Sequence, residues 1–174
     1  NYGVELDIRK SLDFIGLSNF SLSLNGALIH SRVNFAKGSR NENRPMQGQS
    51  PYLINAGLFY NNEHQQLVVS LLYNRIGKRI IGVGRSEGSS VSEDNARVPD
   101  SYEMPRDVID LSISKKFGDH LEIKANIRDL FAQSVSYKQF DDVTLKNGTS
   151  KEVKQITHQY KPGRNIGLSA TWKF

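Results

Sequence analysis

The 174-residue chain contains no cysteine. Disulfide frameworks and thiolate metal sites are therefore excluded, and with them much zinc and redox chemistry. No apolar run approaches the roughly 18 residues that a membrane-spanning helix needs. The hydrophobic fraction of 37% and the mean hydropathy of -0.50 are also low. These absences argue against a membrane protein built from helices and against cysteine-based metal or redox chemistry.

Charge and histidine placement narrow the function classes further. The formal net charge is +5, but the basic residues are spread along the chain rather than clustered, so no nucleic acid partner is expected. The four histidines lie on separate segments, and no Ser, His and acid grouping follows from their spacing. We therefore expect no catalytic residues, no metal site and no cofactor, and we do not expect an enzyme.

What the sequence does contain is regular alternation of apolar and polar residues. In residues 164–174 the apolar positions share one parity, and they are Ile166, Leu168, Ala170, Trp172 and Phe174. This pattern predicts a β-strand with one apolar face. Its length matches the roughly 9 to 11 residues with which a tilted strand crosses a bilayer. In a membrane β-barrel every second residue faces a polar lumen, which keeps the mean hydropathy low.

About seven segments of the chain show this alternation. They are residues 2–12, 19–35, 52–61, 65–78, 107–117, 120–140 and 156–174. Short links at 14–17, 62–63 and 118–119 alternate with long polar links at 36–50, 79–106 and 141–155. Short turns at one rim and long loops at the other are typical of outer-membrane barrels. The predicted fold class is all-β, an antiparallel transmembrane β-barrel fragment.

Two features predict that residues 1–174 are the C-terminal portion of one longer β-barrel domain. Seven strands are an odd number, whereas bacterial single-chain barrels have an even number and cannot leave an open edge in lipid. The chain also begins at Asn1 without a signal peptide, although an outer-membrane protein must be exported.

Aromatic residues occur near the ends of the predicted strands. Tyr52, Tyr60, Phe117, Trp172 and Phe174 are predicted to form two girdles at the membrane interfaces. The alternative is that aromatic residues simply favour strands.

Four sequence blocks carry a family resemblance. They are RPMQGQSPYLINAGLFY (44–60), YEMPRDVIDLSISKKFG (102–118), LEIKANIRDLF (121–131) and YKPGRNIGLSATWKF (160–174). In order and spacing they resemble the C-terminal barrel of TonB-dependent outer-membrane receptors, above all those of Bacteroidetes-type bacteria. The resemblance implies a 22-stranded barrel that an N-terminal globular domain plugs. This chain would supply about the last seven strands and the last three outer loops, while the plug domain and the remaining strands lie outside it.

The resemblance also implies a function and a set of partners. The function is active uptake of a scarce ligand, namely a siderophore, haem, cobalamin, a glycan or a peptide, by an integral protein of the cell outer membrane. The expected partners are outer-membrane lipid, the protein's own N-terminal plug domain, TonB through the N-terminal part, and the barrel assembly machinery, for which Phe174 resembles the family's signal. Related glycan importers are capped by a surface lipoprotein, which makes such a lipoprotein a further candidate partner.

Ligand contacts are expected in the long loops, because binding residues concentrate on loops that a rigid scaffold holds. The candidates are Arg40, Asn41, Asn43, Arg44, Gln47, Arg85, Asn95 and Arg97. Each could donate hydrogen bonds to an anionic or polar ligand, and ordinary solvation is the alternative. The polar strand faces place Arg9, Lys124 and Arg128 inward, where they either line the lumen or pair with the plug and with neighbouring acidic residues.

Two other functions stay open at this stage. The first is a complete small outer-membrane barrel with a structural or adhesive role, against which the odd strand count argues. The second is an outer-membrane enzyme, for which the sequence offers no convergent catalytic grouping.

Overall fold

The computed structural model describes residues 1–37, 43–86, 97–144 and 149–174. Its strands are β1 (Tyr2–Leu12), β2 (Leu17–His30), β3 (Tyr52–Asn62), β4 (Leu67–Ile76), β5 (Arg79–Gly82), β6 (Arg85–Ser86), β7 (Arg97–Val98), β8 (Ser101–Glu103), β9 (Asp107–Phe117), β10 (Leu121–Arg128), β11 (Val135–Thr144), β12 (Ser150–Tyr160) and β13 (Asn165–Trp172). A single turn of 3₁₀ helix, Asp13–Ile15, joins β1 to β2. The prediction of an antiparallel all-β fold is confirmed. Among the described residues, no helix is long and apolar enough to cross a membrane.

Seven strands form the first sheet, in the order β1-β2-β3-β4-β9-β10-β13. This order follows the chain, and every neighbouring pair is antiparallel. Each of the seven predicted segments contributes one strand to it. In the described part of the chain β1 and β13 do not pair with each other, so this sheet is open at both edges. The structure thus establishes antiparallel sheets without a closed barrel.

Short connections gather at one end of the first sheet. One is the 3₁₀ turn, which ends at Gly16 with a φ of 81°, and the others are turns at residues 63–66 and 118–120. Gly118 also has a positive φ, of 60°. Glycine adopts this left-handed backbone without a steric penalty, which allows the chain to reverse within a few residues.

At the opposite end the chain continues into a second sheet, with the order β12-β11-β8-β5. Here β5 follows β4, β8 precedes β9, β11 follows β10, and β12 precedes β13. The second sheet is therefore made of extensions of the strands of the first. It contains the buried apolar side chains of the described residues, which are Ile80 and Val135. A separate two-residue pairing joins β6 to β7.

The prediction of one continuous strand over residues 120–140 was wrong. β10 ends at Arg128, because Asp129 and Ala132 have φ angles of 53° and 48°, which a strand cannot accommodate. Asp129 is held in place by Arg106, whose Nη1 lies 2.5 Å from Asp129 Oδ2. The Asp129 backbone N–H also donates to Asp110 Oδ1 at 2.9 Å. After this turn the chain joins the second sheet as β11.

The predicted strand over residues 156–174 is likewise two strands. Between β12 and β13 stand Pro162, which lacks an N–H for pairing, and Gly163, with a φ of 80°. The predicted strand 19–35 ends earlier, at His30, and the predicted strand 65–78 is Leu67–Ile76. The segments predicted as long loops, 79–106 and 141–155, contain β5 to β8 and parts of β11 and β12.

Candidate functional site

One face of the first sheet is apolar across all seven strands. Strand register aligns two central rows of uncharged side chains. The first row is Leu22, Leu58, Leu71, Leu111, Ile127 and Ile166, and the second is Phe20, Tyr60, Val69, Ile113, Ala125 and Leu168. In β1, Lys10 continues the first row next to the short turn. At the β13 end of the rows the apolar side chains are exposed, since Ile166 is 72% exposed and Leu168 is 78% exposed. We call this surface the apolar face.

Aromatic and charged groups occupy the two ends of the apolar face. At the end near the second sheet, Tyr73 Oη donates to Asp107 Oδ1 at 2.8 Å, and Arg75 Nη1 lies 2.6 Å from the same oxygen. Arg75 Nε donates to Tyr52 Oη at 3.2 Å. At the short-turn end the Trp172 ring stacks on the His120 ring, with the centroids 5.8 Å apart. Charge on this face is therefore concentrated toward the strand ends.

The opposite face carries a ladder of side-chain amides. Asn25 Nδ2 donates to Glu5 Oε1 at 2.9 Å, and Asn55 Nδ2 donates to Asn25 Oδ1 at 3.2 Å. Asn74 Nδ2 then donates to Asn55 Oδ1 at 2.6 Å. The ladder crosses β1, β2, β3 and β4, and it gives each amide a partner on the neighbouring strand. We call this surface the polar face.

Two bulky apolar residues, Phe59 and Leu72, interrupt the polar face and border the same glycine beside the ladder. The Phe59 ring lies over Gly57, where a Cβ atom would come within 2.8 Å of the ring. The Leu72 side chain borders the same glycine. A concavity of about 260 Å³ is lined by these residues together with the ladder amides and Asp110. Only a residue without a side chain leaves room for the Phe59 ring at this position.

Three predicted ligand contacts hold the segment at residues 43–51 in place. Asn43 Oδ1 accepts a hydrogen bond from the Phe35 backbone N–H at 2.9 Å. The Arg44 guanidinium carbon lies 4.9 Å from the centroid of the Phe35 ring. Gln47 Nε2 donates to the Ile81 carbonyl at 2.8 Å. These side chains therefore have structural partners in addition to any contact with a ligand.

The other predicted loop residues are only partly described. Arg85 pairs with Val98 through the backbone, and Arg97 pairs with Ser86, which brings the two arginines onto adjacent short strands. Arg40, Asn41 and Asn95 lie outside the described residues.

The predicted lumen-facing residues share the polar face by register. Arg9 Nε lies 3.5 Å from Asp7 Oδ1, and both side chains are exposed. Lys124 pairs in register with Ser114 and Ser169, and Arg128 pairs with Asn165. Phe174 follows the end of β13 and is fully exposed.

A second concavity, of about 250 Å³, lies where the two sheets meet the segment at residues 43–51. We call it the junction cavity. It is lined by Ile29, His30, Ser31, Pro45, Gln49, Ser50, Pro51, Lys78, Arg79, Ile80 and Tyr102. None of these residues is among the sequence-predicted contacts, because the segments that meet here are far apart in the chain.

The Tyr102 phenol at this cavity is partly buried. Burial raises its pKa, and the nearby Asp100 carboxylate raises it further, while Arg44 opposes the shift. The phenol is consequently neutral at physiological pH and available as a hydrogen-bond donor.

Among the described residues no group of three or more His, Cys, Asp or Glu side chains could hold a metal ion. Comparison of the chain with protein-family models, curated proteins and solved structures finds no match.

Proposed function

We propose that this chain forms part of the wall of a TonB-dependent transporter, an outer-membrane β-barrel that imports a scarce ligand. The observation that carries the proposal is the pair of uncharged rows on the apolar face, which continue from β2 to β13.

Lipid is the environment that best suits this face. Exposed apolar patches larger than a few hundred Å² are rare on soluble monomers, and they mark contact with a partner or a membrane. In the bilayer every backbone polar group needs a partner, and the antiparallel pairing of the seven strands supplies such partners between neighbouring strands. Tyrosine and tryptophan at the two ends of the face, such as Tyr73 and Trp172, suit the two membrane interfaces.

The polar face suits a lumen. Side-chain amides and carboxylates are costly in hydrocarbon, whereas a barrel interior is polar. The ladder from Glu5 to Asn74 and the inward Arg9, Lys124 and Arg128 all belong to this face.

The two edge strands favour a larger barrel. Strands with unpaired edges cannot remain in hydrocarbon, so β1 and β13 need further strands on their open sides. In the proposed 22-stranded barrel, other strands of the same protein pair with both edges.

The TonB-dependent class rests on the four sequence blocks at residues 44–60, 102–118, 121–131 and 160–174. With that class come the proposed plug domain, TonB, the assembly machinery that recognises Phe174, and a surface lipoprotein. The proposed cargo is a siderophore, haem, cobalamin, a glycan or a peptide.

The first test is the mass of the mature polypeptide, purified from the outer membrane of the source organism. A plugged 22-stranded barrel requires at least about three times the 19.6 kDa of this chain. A mass near 19.6 kDa would contradict the transporter and favour a small barrel with a structural or adhesive role.

The second test is uptake of the five cargo classes by cells that do or do not contain TonB. The proposal predicts that one class enters only when both TonB and this protein are present. Uptake that is unchanged without TonB would exclude the active mechanism, even if the barrel itself is correct.

A further inference from the structure

We propose that the junction cavity binds a small organic anion with an apolar body. The site combines one cation that has no carboxylate partner among the described residues, aliphatic surface from four of its lining residues, and a fixed shape. That the bound anion is the transported cargo rests on the proposed function, whereas the binding itself does not.

The cation is Lys78. Its Nζ lies 4.7 Å from the centroid of the Tyr102 ring and 4.8 Å from the centroid of the Phe140 ring. In the described part of the chain no carboxylate lies within ion-pair distance of it. Contact with two aromatic faces is favourable for an ammonium group and restricts its position. The rings carry no formal negative charge, so they do not neutralise the ammonium of Lys78, which lines the cavity.

The electrostatics around Lys78 favour an anion. Arg79 also lines the cavity, but Glu103 neutralises it, since Arg79 Nη2 lies 2.7 Å from Glu103 Oε2. No Asp or Glu is among the described residues that line the cavity. Among the described residues Lys78 therefore has no carboxylate in ion-pair contact, and a bound carboxylate would supply one.

The remaining walls select for an apolar body. Ile29, Pro45, Pro51 and Ile80 contribute aliphatic surface, and Ile80 is only 1% exposed. The volume of about 250 Å³ is slightly below the roughly 300 to 1,000 Å³ of typical small-molecule sites, so the ligand must be small. Ser31 accepts a hydrogen bond from the Met46 backbone N–H at 3.0 Å, and its own hydroxyl hydrogen can point to a ligand.

The cavity is formed before any ligand binds. The Gly48 backbone N–H donates to the Ile80 carbonyl at 2.8 Å, which fixes one wall against β5. The Gly77 N–H donates to the Tyr52 carbonyl at 3.0 Å, and a Cβ at Gly77 would lie 2.8 Å from the Tyr52 ring. A site that is already ordered spends less of its binding free energy on ordering, which favours affinity.

The test compares two probes of nearly identical shape, the anion naphthoate and the neutral naphthamide. Their dissociation constants are measured by titration calorimetry on the whole protein in detergent. One charge-assisted hydrogen bond corresponds to roughly a tenfold preference for naphthoate.

Two matched variants assign the preference to Lys78. Lys78→Met should abolish the preference for naphthoate and leave naphthamide binding within about twofold. Lys116→Met removes another exposed lysine, at the short-turn end of β9, and should change neither affinity. Lys78→Arg should keep the preference, because a guanidinium also binds carboxylates.

Three results would overturn the site: no naphthoate binding at millimolar concentration, equal binding of the two probes, or an undiminished preference in Lys78→Met. The transport proposal fails separately. If uptake does not depend on TonB but naphthoate still binds, the transport proposal is contradicted and the proposed anion site stands. If TonB-dependent uptake is observed but naphthoate does not bind, only the proposed anion site is contradicted.

Discussion

The two sheets are made of consecutive pieces of the same chain, yet their surfaces differ. In the first sheet the apolar side chains lie outside, as with Leu168 at 78% exposed, and the polar face carries an amide ladder. In the second sheet Ile80 and Val135 are buried, and Arg79 pairs with Glu103 across neighbouring strands. The continuous apolar rows are thus confined to the first sheet. A strand that leaves a bilayer for water would change in this way.

The largest effect should come from a charge on the apolar face. Leu111→Arg places a guanidinium in a central row and should destabilise the protein in lipid by about 2 to 4 kcal/mol. Ser112→Arg, one residue away on the polar face, should cost far less. The measurement is the free energy of unfolding in lipid vesicles. If both variants lost the same free energy of unfolding, the assignment of the apolar face to lipid would be contradicted.

The next largest effect should be confined to the second sheet. Ile80→Ala truncates a side chain that is 1% exposed and should weaken that sheet by about 2 kcal/mol. Ile81→Ala, at a side chain that is 39% exposed, should cost about 0.5 kcal/mol or less. Hydrogen exchange of the β5 and β8 amides measures this local stability. If exchange in the first sheet rose equally, the two sheets would be one cooperative unit.

A smaller effect is expected in the amide ladder. Asn55→Ala removes the hydrogen bonds to Asn25 and Asn74 and should cost about 1 kcal/mol. Asn61→Ala is the control, because Asn61 is exposed on the same face of β3 and makes no side-chain hydrogen bond to a described residue. Denaturant midpoints of the two variants compare the costs. A larger shift for Asn61 would show that the ladder does not stabilise the sheet.

The smallest effect should be the ion pair of the second sheet. Arg79 and Glu103 are 37% and 26% exposed, so solvent screens them, and a double-mutant cycle should give a coupling of about 0.5 kcal/mol. Molar salt should reduce this coupling, since the screening length falls to about 3 Å. A coupling that salt leaves unchanged would mean that the pair is shielded from water.

The sequence predicts the first sheet better than the second, because the two sheets differ in how regularly apolar and polar side chains alternate. In the first sheet one face is apolar and the other is polar, so alternation is visible in the sequence, and the strand predicted at 107–117 is the observed β9. In the second sheet β5 and β8 have only four and three residues, which is too short for alternation to be recognised. The breaks at Asp129 and Gly163 depend on backbone angles, which alternation does not encode.

The candidate sites were predictable to a lesser degree. The polar face follows from residue parity, which correctly groups Arg9 and Lys124 on one side of the sheet. The junction cavity does not follow from parity, because Lys78, Tyr102 and Phe140 come from segments that only the second sheet brings together. A long-range pairing of this kind has no local signal in a single sequence.

The measurement that tests the central claim most directly is a spin-label scan along β9. Single cysteines at residues 109–116 are labelled in the membrane-embedded protein, and this chain has no cysteine of its own to compete. If the apolar face meets lipid, accessibility to lipid-dissolved oxygen should peak at Ile109, Leu111 and Ile113 and be low at the residues between them. Oxygen accessibility without this alternation, or higher accessibility to a water-soluble nickel reagent at Leu111 than at Ser112, would contradict the claim that the apolar face meets lipid.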